Sequence, residues 1–185
     1  MPELSDVYFV SSNHHKFQEV HSILDRLHIT VRYNKATLPE IQSASLYDIA
    51  RHKAAHAYTL LSSPVIVEDA GLFIDELNGF PGPYSSFVFD TIGNEGILNL
   101  VKSDRSATFS SVVAYSDGHT QKCFSGNIHG MISKEIMGTG WGYDPIFVPD
   151  GSDSTLAQLD KDSLSHRHLS LESFAAWFTS HQRTI

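Results

Sequence analysis

The sequence predicts a mixed α/β domain whose sheet has a parallel part and an antiparallel part. Strand-like and helix-like segments alternate through the first third of the chain, which favours parallel strands joined by helices. Farther along, two β-rich runs flank Asp117-Gly118, a pair that is typical of a hairpin between antiparallel strands. A length of 185 residues, of which 41% are hydrophobic and 18% charged, suffices for one domain with a sizeable core.

The first third of the chain contains two predicted strands with a helix between them. The apolar run at residues 7–10 predicts a buried strand, and residues 16–27 carry apolar side chains at helical spacing. Residues 29–33 alternate in polarity and are rich in β-branched side chains, which predicts a second strand. The polar residues 11–15 therefore form the turn between the first strand and the helix.

The remaining elements follow from the same patterns. Ser45 is a candidate N-cap for a helix that runs to Leu61. Residues 64–67 predict a third strand, which is expected to end at Glu68-Asp69-Ala70-Gly71. A short helix is predicted over residues 92–101, hairpin strands over 107–115 and 120–128, and a closing helix over 165–178.

The composition excludes several classes of function. Thirteen basic against 21 acidic residues give a formal net charge of −8, which disfavours the phosphate neutralisation that duplex nucleic acid requires. Cys123 is the only cysteine, so no intrachain disulfide can form and a reducing, cytoplasmic location is expected. The chain has neither a basic and apolar signal segment nor the roughly 20-residue apolar run of a membrane helix. No nucleic-acid or membrane partner is therefore expected.

Three carboxylates are candidate metal ligands. Glu68 and Asp69 directly follow the third predicted strand, and Glu40 lies in a loop after a different strand. Strand ends beside loops are where open α/β folds build their sites. Magnesium takes oxygen ligands and usually uses one or two carboxylates together with substrate phosphates. The pattern predicts a magnesium site, although Glu40 taken alone fits a solvated loop acid equally well.

The turn Ser11-Ser12-Asn13-His14-His15-Lys16 is a candidate phosphate site. The N-terminus of a helix presents unpaired N–H groups and a partial positive charge, which favour an anion. Lys16 adds a full positive charge. An ordinary N-cap turn remains the alternative for this segment.

The segment Trp141-Gly142-Tyr143-Asp144-Pro145 is a candidate base-binding site. Glycine beside an aromatic ring lets a flat ligand approach the backbone, and a base stacked on Trp141 contributes roughly 1–3 kcal/mol. Asp144 and the downstream pair His166-Arg167 supply directional hydrogen bonds. Core packing remains the alternative for Trp141.

Together these segments resemble the Ham1-type family of inosine triphosphate pyrophosphatases. The family has a Thr/Ser-x-Asn-x-x-Lys turn after its first strand, an acidic Asp/Glu-Asp-Ser-Gly-Leu turn and a Pro-Gly-x-Tyr-Ser motif. It also has a Phe-Gly-Tyr-Asp-Pro motif, where this chain has Trp141 in place of Phe, and a Lys ahead of Ser-His-Arg. The matching segments are residues 11–16, 68–72, 81–85, 141–145 and 161–167, in the family's order along almost the whole chain.

The resemblance implies an elongated mixed β-sheet flanked by helices, in a single ITPase-like domain of residues 1–185 with two lobes and a central cleft for the nucleotide. It implies a homodimer with magnesium as cofactor. The implied reaction hydrolyses deaminated purine nucleoside triphosphates (those of inosine, deoxyinosine and xanthosine) to the monophosphate and pyrophosphate. This activity keeps such nucleotides out of nucleic acids.

The resemblance also assigns roles to individual residues. Asp69 is the expected catalytic base, and Glu40 and Asp69 are expected to hold magnesium with Glu68 in support. Ala70 stands where the family usually has Ser, so a hydroxyl contact is lost while the backbone N–H remains. The expected substrate-binding residues are Ser11, Ser12, Asn13, His14, His15, Lys16, Ala70, Trp141, Gly142, Tyr143, Asp144, Lys161, His166 and Arg167.

Three other interpretations compete with this one. A related Maf-type pyrophosphatase would act on pyrimidine or modified nucleotides, but it would not explain the Trp-Gly-Tyr-Asp and Ser-His-Arg pair. A non-catalytic module that senses deaminated nucleotides would have no need of both Glu40 and Asp69. A structural protein with a histidine-rich surface would leave the ordered motifs unexplained.

Overall fold

The structure is a computed structural model that describes residues 6–159 and 165–182, and it confirms the mixed α/β class. Its strands are β1 (Val7–Val10), β2 (Val31–Asn34), β3 (Val65–Ile74), β4 (Pro81–Gly82), β5 (Ser106–Ser116), β6 (Gln121–Ile132) and β7 (Phe147–Pro149). Its helices are α1 (His14–Arg26), α2 (Leu46–Leu61), α3 (Ser85–Leu100) and α4 (His166–Gln182), with short 3-10 turns at Asp75–Leu77 and Asp144–Ile146.

The sheet combines parallel and antiparallel pairing, as the sequence predicts. Within the described residues the strand order is β2-β1-β3-β5-β6-β7, with β4 paired to β3. Strand β1 runs parallel to both of its neighbours, so that Val7 lies opposite Val31 and Phe9 lies opposite Ile66. The pairs β3–β4 and β6–β7 are antiparallel.

The predicted hairpin forms between β5 and β6. Its loop is stabilised by the Asp117 carboxylate, which accepts hydrogen bonds from the backbone N–H groups of His119 and Thr120 at 2.9 and 2.6 Å. Gly118 follows at φ 87°, a conformation that favours glycine. The Asp-Gly signal therefore identified this turn for a clear physical reason.

The chain divides into two compact units, each with its own apolar core. Unit 1 consists of Met1–Asp69, Ser111–Gly126 and Arg167–Ile185, and unit 2 of Ala70–Ser110 and Asn127–His166. The core of unit 1 includes Val7, Phe9, Leu24, Ile66, Val113, Phe174 and Phe178. The core of unit 2 includes Leu72, Ile74, Ile97, Phe109, Ile132, Ile146 and Phe147.

Strand β3 is longer than the sequence predicts, which corrects the expected position of the acidic pair. The strand does not end before Glu68 but continues to Ile74, so Glu68 and Asp69 lie within it. Gly71 allows β4 to approach the extended strand closely, because a Cβ at this position would lie 2.5 Å from the carbonyl oxygen of Gly82 on β4. The carboxylates are therefore presented by a paired strand rather than by a loop.

Helix α3 also differs from the prediction, since it begins at Ser85 rather than at residue 92. The helix is interrupted at Gly93, whose φ of 61° and ψ of −166° are not helical. The residues before that glycine lack the usual amphipathic pattern, because the polar Ser85 is buried whereas the apolar Phe87 is exposed. None of the helices in the described ranges is both long enough and apolar enough to span a membrane.

Candidate functional site

A lysine lies between two carboxylates in unit 1. The ammonium Nζ of Lys53, on α2, is 2.7 Å from Oε1 of Glu40 and 2.7 Å from Oδ1 of Asp69. Asp69 is only 8% exposed, whereas Glu40 is exposed. The two carboxylates that the sequence selects are therefore brought to one cation, and that cation belongs to a residue the sequence analysis did not select.

Burial dominates the electrostatics of Asp69. Removal from water raises the pKa of its carboxyl group, and the ammonium groups of Lys53 and Lys16 offset this only in part. Burial on its own lowers the pKa of Lys53, but the carboxylates of Asp69 and Glu40 outweigh burial and hold the pKa above its ordinary value. Both groups therefore keep their protons to a higher pH than the free side chains do, Asp69 because of its burial and Lys53 because of its two carboxylate partners.

Glu68 is a buried acceptor for several donors in unit 1. Its Oε2 is 3.0 Å from Nζ of Lys16, which also donates to the Glu68 carbonyl at 3.2 Å. Its Oε1 accepts a hydrogen bond from the Ser111 hydroxyl at 2.7 Å and lies 3.3 Å from Nε of Arg167. The side chain of Glu68 is fully shielded from solvent, whereas the paired Lys16 side chain is 16% exposed.

Arg167 is likewise buried and is held by two carboxylates. Its Nε pairs with Glu68 and its Nη1 with Glu19 on α1. Burial opposes the charge of the guanidinium, but Glu68 and Glu19 outweigh burial and raise its pKa. The structure thus brings this predicted base-reading residue into the carboxylate network of unit 1.

Two buried serines complete the network. Ser111 on β5 lies 2.9 Å from the hydroxyl of Ser170 on α4, which also donates to the Arg167 carbonyl at 3.0 Å. Each hydroxyl has one proton, so the two protons serve three contacts. The charged Glu68 is the strongest acceptor and takes the proton of Ser111, which leaves Ser170 to donate to Ser111 or to the Arg167 carbonyl.

The predicted phosphate turn forms the N-terminus of α1, also in unit 1. Asn13 is the N-cap, and its Oδ1 accepts from the Lys16 N–H at 3.2 Å, while the Ser11 hydroxyl accepts from the Asn13 N–H at 3.1 Å. Ser12, His14 and His15 are exposed. The turn that was predicted to bind an anion is therefore also the turn that caps α1.

Unit 2 carries the predicted base-binding segment. Trp141 is 40% exposed, whereas Tyr143 and Asp144 are buried. The hydroxyl of Tyr143 donates to the Ser85 carbonyl at 2.9 Å, and Gly142 has φ 63°, which favours glycine. Trp141 is therefore presented at the surface of unit 2, next to a residue anchored in its core.

The other predicted residues are placed as follows. His166 is buried in unit 2 and stacks on Phe109, with ring centroids 3.9 Å apart and an interplanar angle of 17°. Ala70 follows Asp69 in β3 and is partly buried. Lys161 lies outside the described residues.

The metal-binding potential of unit 1 rests on Glu40 and Asp69. Among residues 6–159 and 165–182, no group of three or more His, Cys, Asp or Glu side chains is arranged to hold a metal ion. The position between Glu40 and Asp69 nevertheless already holds a cationic group, the Lys53 ammonium. The second carboxylate oxygen of Asp69, Oδ2, is buried and accepts no hydrogen bond from the described residues. These observations fit a divalent cation that takes its remaining ligands from substrate oxygens.

Sequence reasoning missed Lys53, Glu19, Ser111 and Ser170. Lys53 had a detectable signal, because it falls on the face of α2 that is otherwise formed by Leu46, Ile49, Ala50, Ala54 and Ala57. A lysine on a buried helix face requires a partner, and a buried partner is often part of a site. The serines had no such signal, since nothing in their local sequence distinguishes them from surface serines.

Comparisons with known proteins extend over nearly the whole chain. A dITP/XTP pyrophosphatase of Methanopyrus kandleri is 50% identical over 179 residues, which cover 93% of this chain and 95% of that protein. A dITP/XTP pyrophosphatase of Pyrococcus horikoshii is 44% identical, covering 92% and 95% respectively. Among solved structures, the Ham1 protein of Staphylococcus aureus has a TM-score of 0.82 at 29% identity, covering 96% of this chain and 100% of that one.

The family comparison agrees with these similarities. A model of the Ham1 family matches residues 7–177, which include β1 and most of α4. The motifs at residues 11–16, 68–72, 81–85 and 141–145 all fall inside the match. The chain belongs to the Ham1 family.

Proposed function

We propose that this chain is a nucleoside triphosphate pyrophosphatase that hydrolyses inosine, deoxyinosine and xanthosine triphosphates, and so keeps them out of nucleic acids. Water attacks the α-phosphorus, the bond to the bridging oxygen breaks, and the electron pair leaves with pyrophosphate while the nucleoside monophosphate remains. The observation that carries this proposal is the Lys53 ammonium, held at 2.7 Å by both Glu40 and Asp69. The chain that carries this arrangement is 50% identical in sequence to a protein named dITP/XTP pyrophosphatase.

Asp69 is proposed as the base that orients the attacking water and accepts its proton. Its Oδ1 is engaged by Lys53, while Oδ2 has no hydrogen-bond donor among the described residues and is able to accept one. Burial keeps the pKa of this carboxyl group above its ordinary value, which makes it a stronger base than a solvated aspartate.

The cationic groups of unit 1 are proposed to bind the triphosphate. Lys53 and Lys16 are both held by carboxylates, and substrate phosphates would compete for the same ammonium groups. The turn at residues 11–16 adds N–H donors at the start of α1. Glu68 supports this site by fixing Lys16 and Arg167, rather than by exposing an oxygen of its own.

Glu40 and Asp69 are the residues proposed to hold magnesium, with substrate phosphates supplying further ligands. Bound there, the ion would neutralise charge on the triphosphate and polarise the phosphoryl group. Lys53 holds a positive charge at the same two carboxylates when no metal is bound.

Base selection is proposed to rest on the sequence segments around Trp141 and His166. Trp141 stacks on the base, and Asp144, Lys161, His166 and Arg167 are the proposed readers of its edge. Hypoxanthine and xanthine present an acceptor oxygen at position 6, where adenine presents an amino donor. Because an unpaired donor in a site is costly, a specific hydrogen bond can reject the wrong analogue by roughly 10⁴–10⁵-fold.

A pyrophosphate-release assay tests the proposal. Inosine, xanthosine, guanosine, adenosine and pyrimidine triphosphates are compared with and without magnesium, and the proposal requires magnesium-dependent turnover that is fastest with the first two. Preference for a pyrimidine would favour a Maf-type enzyme. Tight binding of inosine triphosphate without any turnover would instead identify a non-catalytic sensor.

A further inference from the structure

We propose that Asn94 is a positioning residue for base recognition, which fixes the loop that presents Trp141. The loop in question is residues 141–143 and is called the base loop below. This inference rests on the proposed function, because it assumes that Trp141 stacks on the base. It assigns a specificity role to a residue of α3 that does not itself contact substrate.

Asn94 is linked to the base loop by a hydrogen bond. Its side-chain Nδ2 donates to the backbone carbonyl of Gly142 at 3.0 Å, across 48 positions of sequence and within unit 2. The side chain is partly buried, so the bond competes less with water than a fully exposed one would.

The backbone around Asn94 is specialised for this contact. Gly93, directly before it, has φ 61° and ψ −166°, a conformation that a residue with a side chain adopts only at considerable cost. Helix α3 is therefore interrupted at the residue directly before Asn94, so the hydrogen-bond donor directly follows a non-helical residue.

The acceptor of this hydrogen bond is the carbonyl of Gly142, the middle residue of the base loop. Gly142 has φ 63°, and apart from its chain neighbours no atom lies within 4 Å of the position where a Cβ would stand, so no side chain packs against this face of the glycine. A glycine in this position loses much backbone freedom when it is ordered. Asn94 holds the Gly142 carbonyl and thereby restricts the peptide that follows Trp141.

The base loop has a second anchor, which is structural rather than selective. Tyr143 donates to the Ser85 carbonyl at 2.9 Å, and its ring packs edge-on against Phe89 with centroids 5.4 Å apart. Both hydrogen bonds connect the base loop to α3, one at Ser85 and one at Asn94, but Tyr143 is itself part of the core of unit 2. Asn94 is thus the anchor whose loss should loosen Trp141 without dismantling the core.

The substitution Asn94→Asp tests the proposal with almost no change of shape. It replaces the amide donor with a carboxylate oxygen, so that two acceptors face each other at Gly142. Asn99→Asp is the matched control, because Asn99 lies on the same helix, is exposed, and undergoes the same change of charge. Asn94→Ala is a second variant that removes the donor without adding charge.

The kinetic measurements distinguish an effect on binding of the base from an effect on binding of the phosphates. For Asn94→Asp, the KM for inosine triphosphate is expected to rise about 10-fold relative to Asn99→Asp, with kcat changed less than about 2-fold. Inhibition by inorganic triphosphate, which has no base, is expected to remain unchanged. The tryptophan emission spectrum should shift in the Asn94 variants and not in the control, because Trp141 becomes more mobile.

The outcomes are distinguishable. A KM equal to that of the control, or an equal loss of inhibition by inorganic triphosphate, would overturn the positioning role. If Asn94→Asp does not fold, the same split between KM and triphosphate inhibition is required of Asn94→Ala, and its absence there also overturns the proposal. Absence of turnover in the unaltered protein would overturn the proposed function and this inference together.

Discussion

Lys53 places a largely buried positive charge between two carboxylates of unit 1. Its ammonium contacts Glu40 and Asp69, and its stem lies on a helix face that is otherwise apolar. Long basic side chains commonly bury their methylene groups while keeping the charged end paired. Removing the charge would leave two carboxylates facing each other, so the consequences extend to the ionisation of Asp69.

The substitution Lys53→Met is expected to move the acid limb of the pH–rate profile. The ammonium of Lys53 lowers the pKa of Asp69 against the opposing effect of burial, so its loss raises that pKa further. In the proposed mechanism the ionised form of Asp69 is the active one, so activity should then be lost at a higher pH as the solution is acidified. The measurement is kcat/KM against pH, with an additional drop of about 10- to 100-fold at the plateau from the lost phosphate contact.

Lys35→Met is the control for this experiment, since Lys35 also lies in unit 1 but is exposed. Its profile should coincide with that of the unaltered protein. An acid limb at the same pH in Lys53→Met and Lys35→Met would show that Asp69 is not the titrating base.

At the scale of single residues, the sequence predicted residue types better than residue contacts. Glu40, Asp69 and Lys16 were selected because carboxylates and a lysine beside helix and strand ends suit a phosphate ligand. That Lys53 joins two of them could not be predicted, because the contact depends on how α2 is packed. The burial of Arg167 between Glu68 and Glu19 likewise follows from tertiary structure and not from local pattern.

Elements of unit 1 are joined by buried polar contacts as well as by apolar packing. Glu68 belongs to β3, Ser111 to β5, and Ser170 and Arg167 to α4, and all four are almost completely buried. A buried charged group that loses one partner costs more than an exposed one, because water cannot replace the missing donor. These elements therefore depend on one another through Glu68.

Ser111→Ala should reveal that dependence. Loss of the hydroxyl removes a 2.7 Å hydrogen bond to the Glu68 carboxylate, and the free energy of unfolding is expected to fall by about 1.5–3 kcal/mol. Ser173→Ala, which removes an exposed hydroxyl from α4, should change it by less than about 0.5 kcal/mol. Urea unfolding provides the comparison, and equal stability of the two variants would contradict a structural role for the Ser111 bond.

Periodicity predicted most of the elements, and tertiary context determined the rest. The strand at residues 7–10 and the Ser45 N-cap were confirmed, because both are local signals. The extension of β3 beyond Glu68 was missed, since the acidic residues and Gly71 suggest a turn in the sequence, whereas sheet pairing keeps the segment extended in the structure. The start of α3 was missed because its first turns break the amphipathic pattern, with Ser85 buried and Phe87 exposed.

The homodimer implied by the family resemblance is a property of the whole molecule, and it remains a proposal. Unit 2 exposes three large apolar side chains within residues 80–87, namely Phe80, Tyr84 and Phe87, the last of them 71% exposed. Exposed apolar side chains this close together favour contact with another surface. A second copy of this chain is the proposed partner.

Light scattering tests the proposed homodimer by measuring the molecular mass in solution. The protein is expected to have twice the 20.5 kDa of the chain, and Phe87→Glu is expected to reduce the mass to that of one chain. Leu60→Glu places the same charge at an exposed apolar position of α2 and should leave the mass unchanged. A monomeric unaltered protein would refute the dimer, and a dimeric Phe87→Glu variant would remove Phe87 from its interface.

The break at Gly93 has a consequence for anyone who would engineer this protein for heat resistance. Replacing a glycine inside a helix by alanine is a standard stabilising change, with a gain of roughly 0.4–1 kcal/mol where the backbone is compatible. Gly93 lies inside the span of α3 and has free space around it, so it would be an early choice on sequence and on volume alike. At Gly93 the same substitution is expected to lower the stability, because alanine is strained at a φ of 61°. Straightening the helix to relieve the strain would also move Asn94, which donates to the Gly142 carbonyl beside Trp141, so the substitution would cost stability and, on the role proposed for Asn94, substrate discrimination as well.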